Sequence, residues 1–360
     1  MQARWLARPA LWAMVAAGAA SFATSSMAQD LDEYRRFREA RFAEVHKANP
    51  RMTEQVAEVK QGTAALLATT PARLDSVDSP PTFWRVPSTL PFVYDIPVAP
   101  RMVIVPAGEA SLDSPAAEPG RPRTVTHRHR VRIAYAFAVS MFPVTFAEYA
   151  LYAAETGHIA KGGCILPHSD DTVVARNWRN PGFAQTFRIP AVCIGSADAQ
   201  AYADWLSGKT GHRYRLLSEA EYEYAARAGT ATAFWWGDDR NAGCALANLW
   251  DPDPAVAKSR QSTACRDGTR FTAELGNTKA NGFGLFDMAG NVASWTSDCQ
   301  GIGLRGSARN GSPKPARRVC RLRVIKGASW ATSDPRSAAR REVPEGAIVA
   351  DVGFRLARDL

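Results

Sequence analysis

Six cysteines, Cys164, Cys193, Cys244, Cys265, Cys299 and Cys320, all lie in the second half of this 360-residue chain. No two of them form a C-x-x-C pair, so the spacing argues against zinc. What else they can do depends on the compartment, and the first residues speak to that. MQARWLARPALWAMVAAGAASFATSSMAQD carries Arg4 and Arg8, then an apolar run from Leu11 to Phe22, then Ser26-Met27-Ala28. This is the charged, apolar and small-residue order of a secretory leader, and its apolar part is too short to span a bilayer. Cleavage is expected near Ala28, which makes residues 1–28 a signal peptide and the mature chain periplasmic or secreted. No later stretch is long and apolar enough to be a transmembrane segment. An even number of cysteines in an exported chain reads as disulfides. Pairing of sequence neighbours, Cys164–Cys193, Cys244–Cys265 and Cys299–Cys320, is the simplest arrangement. Each bridge would close a loop of roughly 20–30 residues and stabilise the fold by about 3 kcal/mol.

The formal charge is +9, and the leader holds two of the arginines and no acid, which leaves +7. Part of this excess is local. Between Gly301 and Lys326 stand Arg305, Arg309, Lys314, Arg317, Arg318, Arg321, Arg323 and Lys326, with no acid among them. Together with Gly306, Gly311, Pro313 and Pro315 the segment reads as an exposed basic loop, either simply solvated or meeting an anionic partner. Export makes nucleic acid a poor candidate for that partner.

Along the chain, residues 29–69 read as a helical arm. Leu31, Tyr34, Phe37, Val45, Val56, Val59 and Leu66 recur at roughly helical spacing among many charges, and Pro50 divides the arm in two. Residues 70–100 are proline-rich and read as an extended, wrapping linker. Met102 to Val105 form a buried-strand candidate. In TVTHRHRVRIAYAFAVS one parity holds Val125, His127, His129, Val131, Ile133, Tyr135 and Phe137, which predicts one strand with the two histidines on one face. Three helices follow with their caps. Thr145 and Glu148 form a capping box ended by Gly157, Ser196 caps the second helix, and Ser218 with Glu221 caps a third that stops at Gly229. The remainder is mostly turns and short strands, so the fold class is α+β with much irregular structure.

The order of these pieces is specific. MVIVPAGEASL, FAVSMFPVTFAEYALYAAETG, the long block ending YRLLSEAEYEYAARAGT, NGFGLFDMAGNVASW, VIKGASW, SAARRE and VGFRLARD follow one another. Together they resemble the formylglycine-generating enzyme, or sulfatase-modifying-factor, superfamily. The resemblance implies a single compact domain over residues 101–360, a C-type-lectin-like variant with low regular secondary structure, carrying the arm outside it. Fold does not decide activity here. The superfamily prototype oxidises a sulfatase cysteine using Cu(I) held by two thiolates, soft ligands suited to that ion. In the family those cysteines follow a Gly-Gly-Ser turn. Here the turn is Gly327-Ala328-Ser329-Trp330 and no cysteine occurs after Cys320, so copper is not expected. The histidines form no H-x-x-x-H-x-E motif and the arm holds only His46, so the nonhaem-iron branch is not indicated either. A third branch, periplasmic and acting in pyoverdine maturation, also lacks the copper pair and fits an exported chain.

The family writes Gly-Asn-x-Trp-Glu-Trp where this chain has Gly290-Asn291-Val292-Ala293-Ser294-Trp295. The resemblance makes that Glu a structural calcium ligand, so its loss weakens a site to which Asp287 and the carbonyls of Gly290 and Val292 would still contribute. A second family calcium site carries over by position as Asn248, the Leu249 carbonyl, Asp267 and the Thr269 carbonyl. Candidate substrate-pocket residues are Trp295, Ser329, Trp330, Arg340 and Arg355, with the two arginines alternatively pairing with acids at the edge of the core; catalytic residues are not assigned. The expected function is maturation or modification of a peptide or peptide-like substrate in the cell envelope, without copper-dithiolate chemistry. The alternative is a non-catalytic binding or scaffold protein whose partner is an envelope protein, and a true sulfatase cysteine oxidase ranks last. Oligomeric state is not readable from the sequence.

Overall fold

The computed structural model describes residues 11–61 (without 53 and 59), 91–115, 118, 121, 128–160, 162–168, 176–250, 267–299, 310–313, 320–332 and 334–360, with side chains from Met27 onward. His127, Cys265, residues 62–90 and most of the basic segment 300–319 therefore lie outside the described residues.

Helix α1, Leu11–Ala48, runs straight through the expected cleavage point at Ala28. The chain turns at Asn49 and Pro50, as proline's missing N–H demands, and resumes helix at Met52. Leu31, Tyr34, Arg38, Phe42 and Val45, spaced three or four apart, form the stripe that α1 lays on the domain. Arg38 sits in the middle of it. Its guanidinium pairs with Glu148 at 2.8 Å and also donates to Tyr34 Oη, Tyr94 Oη and the carbonyls of Pro97 and Ala99.

Short strands build the body. β1 (Phe92–Val93), β2 (Met102–Val105), β5 (Phe137–Ser140), β11 (Leu356–Asp359) and β6 (Tyr214–Leu216) form a five-stranded antiparallel sheet in that order. Its strands are buried on both faces. Met102, Ile104, Ala138 and Leu356 point into one core, while Val103, Val105, Phe137, Val139 and Ala357 point into the other. This is the two-residue period of a strand with a hydrophobic layer on each side. A second sheet orders β10 (Val352–Phe354), β7 (Ala293–Cys299), β8 (Leu322–Lys326) and β9 (Arg340–Pro344), with β10 and β7 parallel. β3 (Gly108–Leu112) pairs with β4 (His129–Ile133) as a separate ribbon.

Helix α2 (Phe146–Thr156) has the expected Thr145/Glu148 capping box and a left-handed Gly157 stop. Helix α3 (Ser196–Thr210) differs at its start. Its N-cap is Gly195, whose N–H is taken by Asp198 at 3.3 Å, while Ser196 Oγ donates instead to Glu345 O. Helix α4 (Glu219–Arg227) keeps the Ser218/Glu221 box, and Ala228 adopts the left-handed cap just before Gly229. One core holds Tyr149, Tyr202, Trp178, Trp295 and Phe354 under α2 and α3; the other holds Tyr222, Tyr224, Phe283 and Leu285 around α4.

The parity read from Val125 to Phe137 is not one strand: β4 ends at Ile133, residues 134–136 turn, and β5 joins a different sheet. His129 ends up half-buried beside Asp113, with Nδ1 3.6 Å from its carboxylate. Nor is the whole of Gly301–Lys326 an exposed loop. Residues 322–326 are strand β8, and Lys326 is completely buried because Glu223 meets it from α4.

The disulfides Cys164–Cys193 and Cys299–Cys320 are present, with Cα separations of 5.4 and 5.5 Å. Cys244 is also disulfide-bonded, and the described residues contain no free cysteine.

Candidate functional site

The site begins where β8 ends. Gly327 has φ +82°, and a Cβ there would stand 2.4 Å from Tyr222 Oη, so only glycine fits this turn. The turn delivers Ser329 and Trp330 side by side. Ser329 Oγ donates to Asp351 Oδ2 at 2.7 Å, and Arg341 Nη2 reaches the same oxygen at 2.6 Å. Asp351 is fully buried just before β10, while the Arg341 side chain on β9 is 35% exposed, so the row runs from the interior to the surface. Thr332 Oγ1 accepts from the Ser329 N–H at 2.7 Å and lies 3.3 Å from its hydroxyl. No imidazole joins this row among the described residues. His168 gives its ring to Ala331 O at 2.8 Å and stacks on Trp250 at 5.0 Å. The acceptor beside the Ser329 hydroxyl is thus a carboxylate shared with Arg341, and not the imidazole that commonly activates a serine nucleophile. What the row supplies is a fixed hydroxyl and a guanidinium beside an aromatic floor, in which Trp330 meets the rings of Phe183 and Phe271 edge-on at 5.9 and 5.1 Å.

The candidate pocket residues do not gather around one open cavity; Trp295, Ser329, Trp330, Arg340 and Arg355 are all buried. Trp295 Nε1 donates to Ile194 O at 2.8 Å. Arg340 pairs with Glu219 at 2.7 Å and with Glu342 at 3.0 Å, the acid pairing that the sequence offered as its alternative role. Arg355 donates to the carbonyls of Ser140, Met141 and Phe286, tying the end of β5 to the turn before Asp287. Burial pushes its pKa down, and Tyr222 and Asp287 nearby oppose that. Asp351 and Arg341 were not singled out from the sequence. Asp351 had one signal: a lone acid inside the apolar run AIVADVGF.

The two strips from which the resemblance would draw calcium ligands lie against each other. Asn291, held at φ +65°, donates its N–H to Asn248 O at 2.7 Å, and a Cβ on Gly290 would come within 2.6 Å of that oxygen. Asn248 Nδ2 donates to Phe271 O at 2.7 Å, which leaves Asn248 Oδ1 buried with no hydrogen-bond partner. Asp267 accepts the Leu249 N–H at 2.7 Å on one oxygen and the Thr269 N–H at 2.8 Å on the other. An orphaned amide oxygen beside a carboxylate and two carbonyl-bearing residues, Leu249 and Thr269, fits a hard cation with oxygen ligands. The Asp287 strip is poorer. Thr278 donates to Asp287 Oδ1 at 2.8 Å, Oδ2 is buried and unpartnered, and burial raises the pKa of this carboxyl. Ser294 brings no charge to it. The chain has no cysteine beyond Cys320, and among the described residues no cysteine is free to supply a thiolate to a copper ion.

Residues 94–360 match the family described as the sulfatase-modifying factor enzyme 1-like domain. The formylglycine-generating enzyme of Mycobacterium tuberculosis is 32% identical over 200 residues, 45% of this chain and 63% of that protein, so the chain spans less than two thirds of that relative. The formylglycine-generating enzyme of Streptomyces coelicolor is 29% identical over 294 residues, covering 71% of this chain and 88% of the relative. Among solved structures, PvdO from Pseudomonas aeruginosa superposes with a TM-score of 0.66 at 34% identity, over 76% of this chain and 99% of that one.

Proposed function

The chain belongs to the sulfatase-modifying factor enzyme 1-like family, and from that premise we propose that it is an exported maturation factor acting on a peptide or peptide-like substrate in the cell envelope, without copper-dithiolate chemistry. The observation that carries this reading is the state of the cysteines. The family domain is kept along its length, yet each described cysteine is spent in a disulfide. Disulfides of this kind belong to oxidising compartments, which supports export. Among the described residues no helix is long and apolar enough to cross a membrane. The row runs from the buried Ser329 hydroxyl and Asp351 carboxylate to the Arg341 guanidinium, which is the member of the row that reaches the surface and can meet the polar groups of a peptide. Calcium at Asn248, Leu249, Asp267 and Thr269 is a structural part of the proposal, holding the Gly290-Asn291 turn beneath that row.

A second reading, a non-catalytic binding protein, is favoured by one observation: the carboxylate beside Ser329 is paired with Arg341, and among the described residues no imidazole accompanies it. The two separate experimentally. Purified protein is incubated with Cu(I), O₂ and a cysteine-bearing sulfatase-type peptide, and the envelope of a deletion strain is profiled by mass spectrometry. The maturation reading expects no formylglycine in the first assay and an accumulated unprocessed precursor in the second. A deletion strain with an unchanged profile favours the binding protein, and formylglycine formation overturns the copper-free account.

A further inference from the structure

Between α1 and the body of the domain lies a cleft of about 390 Å³ that none of Trp295, Ser329, Trp330, Arg340 or Arg355 lines. Its walls are aromatic. Phe142 and Phe286 stack at 4.7 Å with their planes 23° apart, and Phe37 on α1 stands over the opening with 60% of its surface exposed. Its charge is one-sided. Four arginines, Arg38, Arg41, Arg101 and Arg188, line it against a single acid, Glu148. Glu148 is already taken by Arg38. Arg41 leans on the exposed Glu44, a neighbour on the same helix that contributes little. Arg188 keeps only a slack 3.8 Å approach to Glu274 with 67% of its side chain in solvent.

Arg101 is the telling residue. It is half-buried and has no carboxylate within ion-pair distance among the described residues; its close contact is the face of Phe92, 5.2 Å from the ring centre. Burial lowers its pKa, and the like charges of Arg41 and Arg38 lower it further against a weaker opposing effect of Tyr94. A half-buried guanidinium facing other guanidiniums is a cost that a bound oxyanion removes, since carboxylate and guanidinium form paired, charge-assisted hydrogen bonds. Nearby aromatic faces add a place for an apolar body to stack.

We propose that this cleft is a binding site for a small aromatic carboxylate, its carboxylate held by Arg101 and Arg41 and its ring laid against Phe142 and Phe286 beneath Phe37. The arm is then one wall of a ligand site rather than a mere strut. The proposal stands apart from the maturation reading and would hold equally for a non-catalytic protein.

The test is calorimetric titration of the folded protein, arm included, at low ionic strength with three probes: 1-naphthoate, 1-naphthylmethylammonium and acetate. Naphthoate is expected to bind, with an affinity that falls as salt is added, while acetate binds at least tenfold more weakly and the ammonium probe does not bind. Arg101→Gln is expected to weaken naphthoate at least tenfold while leaving the thermal midpoint in place, because it breaks no ion pair. Arg41→Gln, on the exposed face of α1, gives the same direction of change and serves if Arg101→Gln does not fold. Equal binding of the ammonium probe, no naphthoate binding at millimolar concentration, or folded variants with unchanged affinity would each overturn the site.

Discussion

Lys326 Nζ donates to Glu223 Oε2 at 2.9 Å, and neither side chain has any exposed surface. Glu223 Oε1 meanwhile accepts from Arg227 at 2.9 Å and from the Asp113 N–H at 2.6 Å. One carboxylate therefore holds β8, α4 and the end of the β3 ribbon. A buried pair of this kind adds little over an apolar substitute, but removing one partner strands the other. Lys326→Met is expected to destabilise the fold by about 3–5 kcal/mol in urea unfolding. The double variant Lys326→Met/Glu223→Gln should not recover stability fully, because Arg227 then loses its carboxylate as well. A single-variant loss below about 1 kcal/mol, the range of an exposed pair, would refute the role assigned to Lys326.

The same carboxylate sets an acid limb. Burial pushes the Glu223 pKa up, but the Lys326 and Arg227 charges outweigh it and hold the group below the usual carboxylate range. The unfolded chain thus binds its proton first as pH falls. The stability from Glu223 is fully present above the ordinary glutamate pKa and is lost as pH drops through the depressed folded value. Glu223→Gln should flatten that part of the stability-against-pH curve while lowering the whole curve. Asp287 works in the opposite sense, since burial raises its pKa. From the ordinary aspartate value up to the raised one the folded state holds the proton more tightly, so stability from this group declines as pH rises. Asp287→Asn should remove that decline; a curve with an unaltered slope in both variants would contradict both assignments.

Arg38 does for the arm what Glu223 does for the core. It spans α1, the segment Tyr94–Ala99 and Glu148 of α2 with its guanidinium almost out of solvent. Arg38→Met is expected to expose Glu148 and loosen the arm by about 3 kcal/mol, read as faster proteolysis within residues 29–48 while the disulfide-held body stays resistant. Cleavage at the unaltered rate would mean that the apolar stripe of Leu31 and Val45 docks α1 alone.

Calcium is tested through stability. If Asn248 Oδ1 and Asp267 hold the ion, calcium at a hundredfold above its Kd raises unfolding free energy by about 2.7 kcal/mol, and a chelator reverses this. Asn248→Ala should abolish the increment. A thermal midpoint indifferent to both calcium and chelator would remove the ion from this strip.

Much of the fold was readable where the rule is local. The capping boxes at Thr145 and Ser218, the strand Met102–Val105 and the neighbour pairings Cys164–Cys193 and Cys299–Cys320 each depend on residues close in sequence. Ser196 misled because Gly195 caps α3 through Asp198, a cap without a side chain of its own. Lys326 misled for a different reason. A lysine closing a run of bases reads as solvent-facing, and its partner Glu223 lies 103 residues away in EAEYEYAAR, a charged helix of which every residue is buried. In the candidate site the glycine turn announced Ser329 and Trp330. Arg341 and Asp351 reach Ser329 only through the pairing of β8 with β9 and the placement of β10, relations between distant segments that leave no local pattern. Arg38, 110 residues before Glu148, was hidden in the same way.

The central claim is a family domain working without a thiolate pair, and the most direct measurement is the intact mass of the native protein alkylated without reduction. The account predicts that none of the six cysteines takes up label and that all six do after reduction. Two labelled thiols in the unreduced protein would contradict it and reopen copper-dithiolate chemistry.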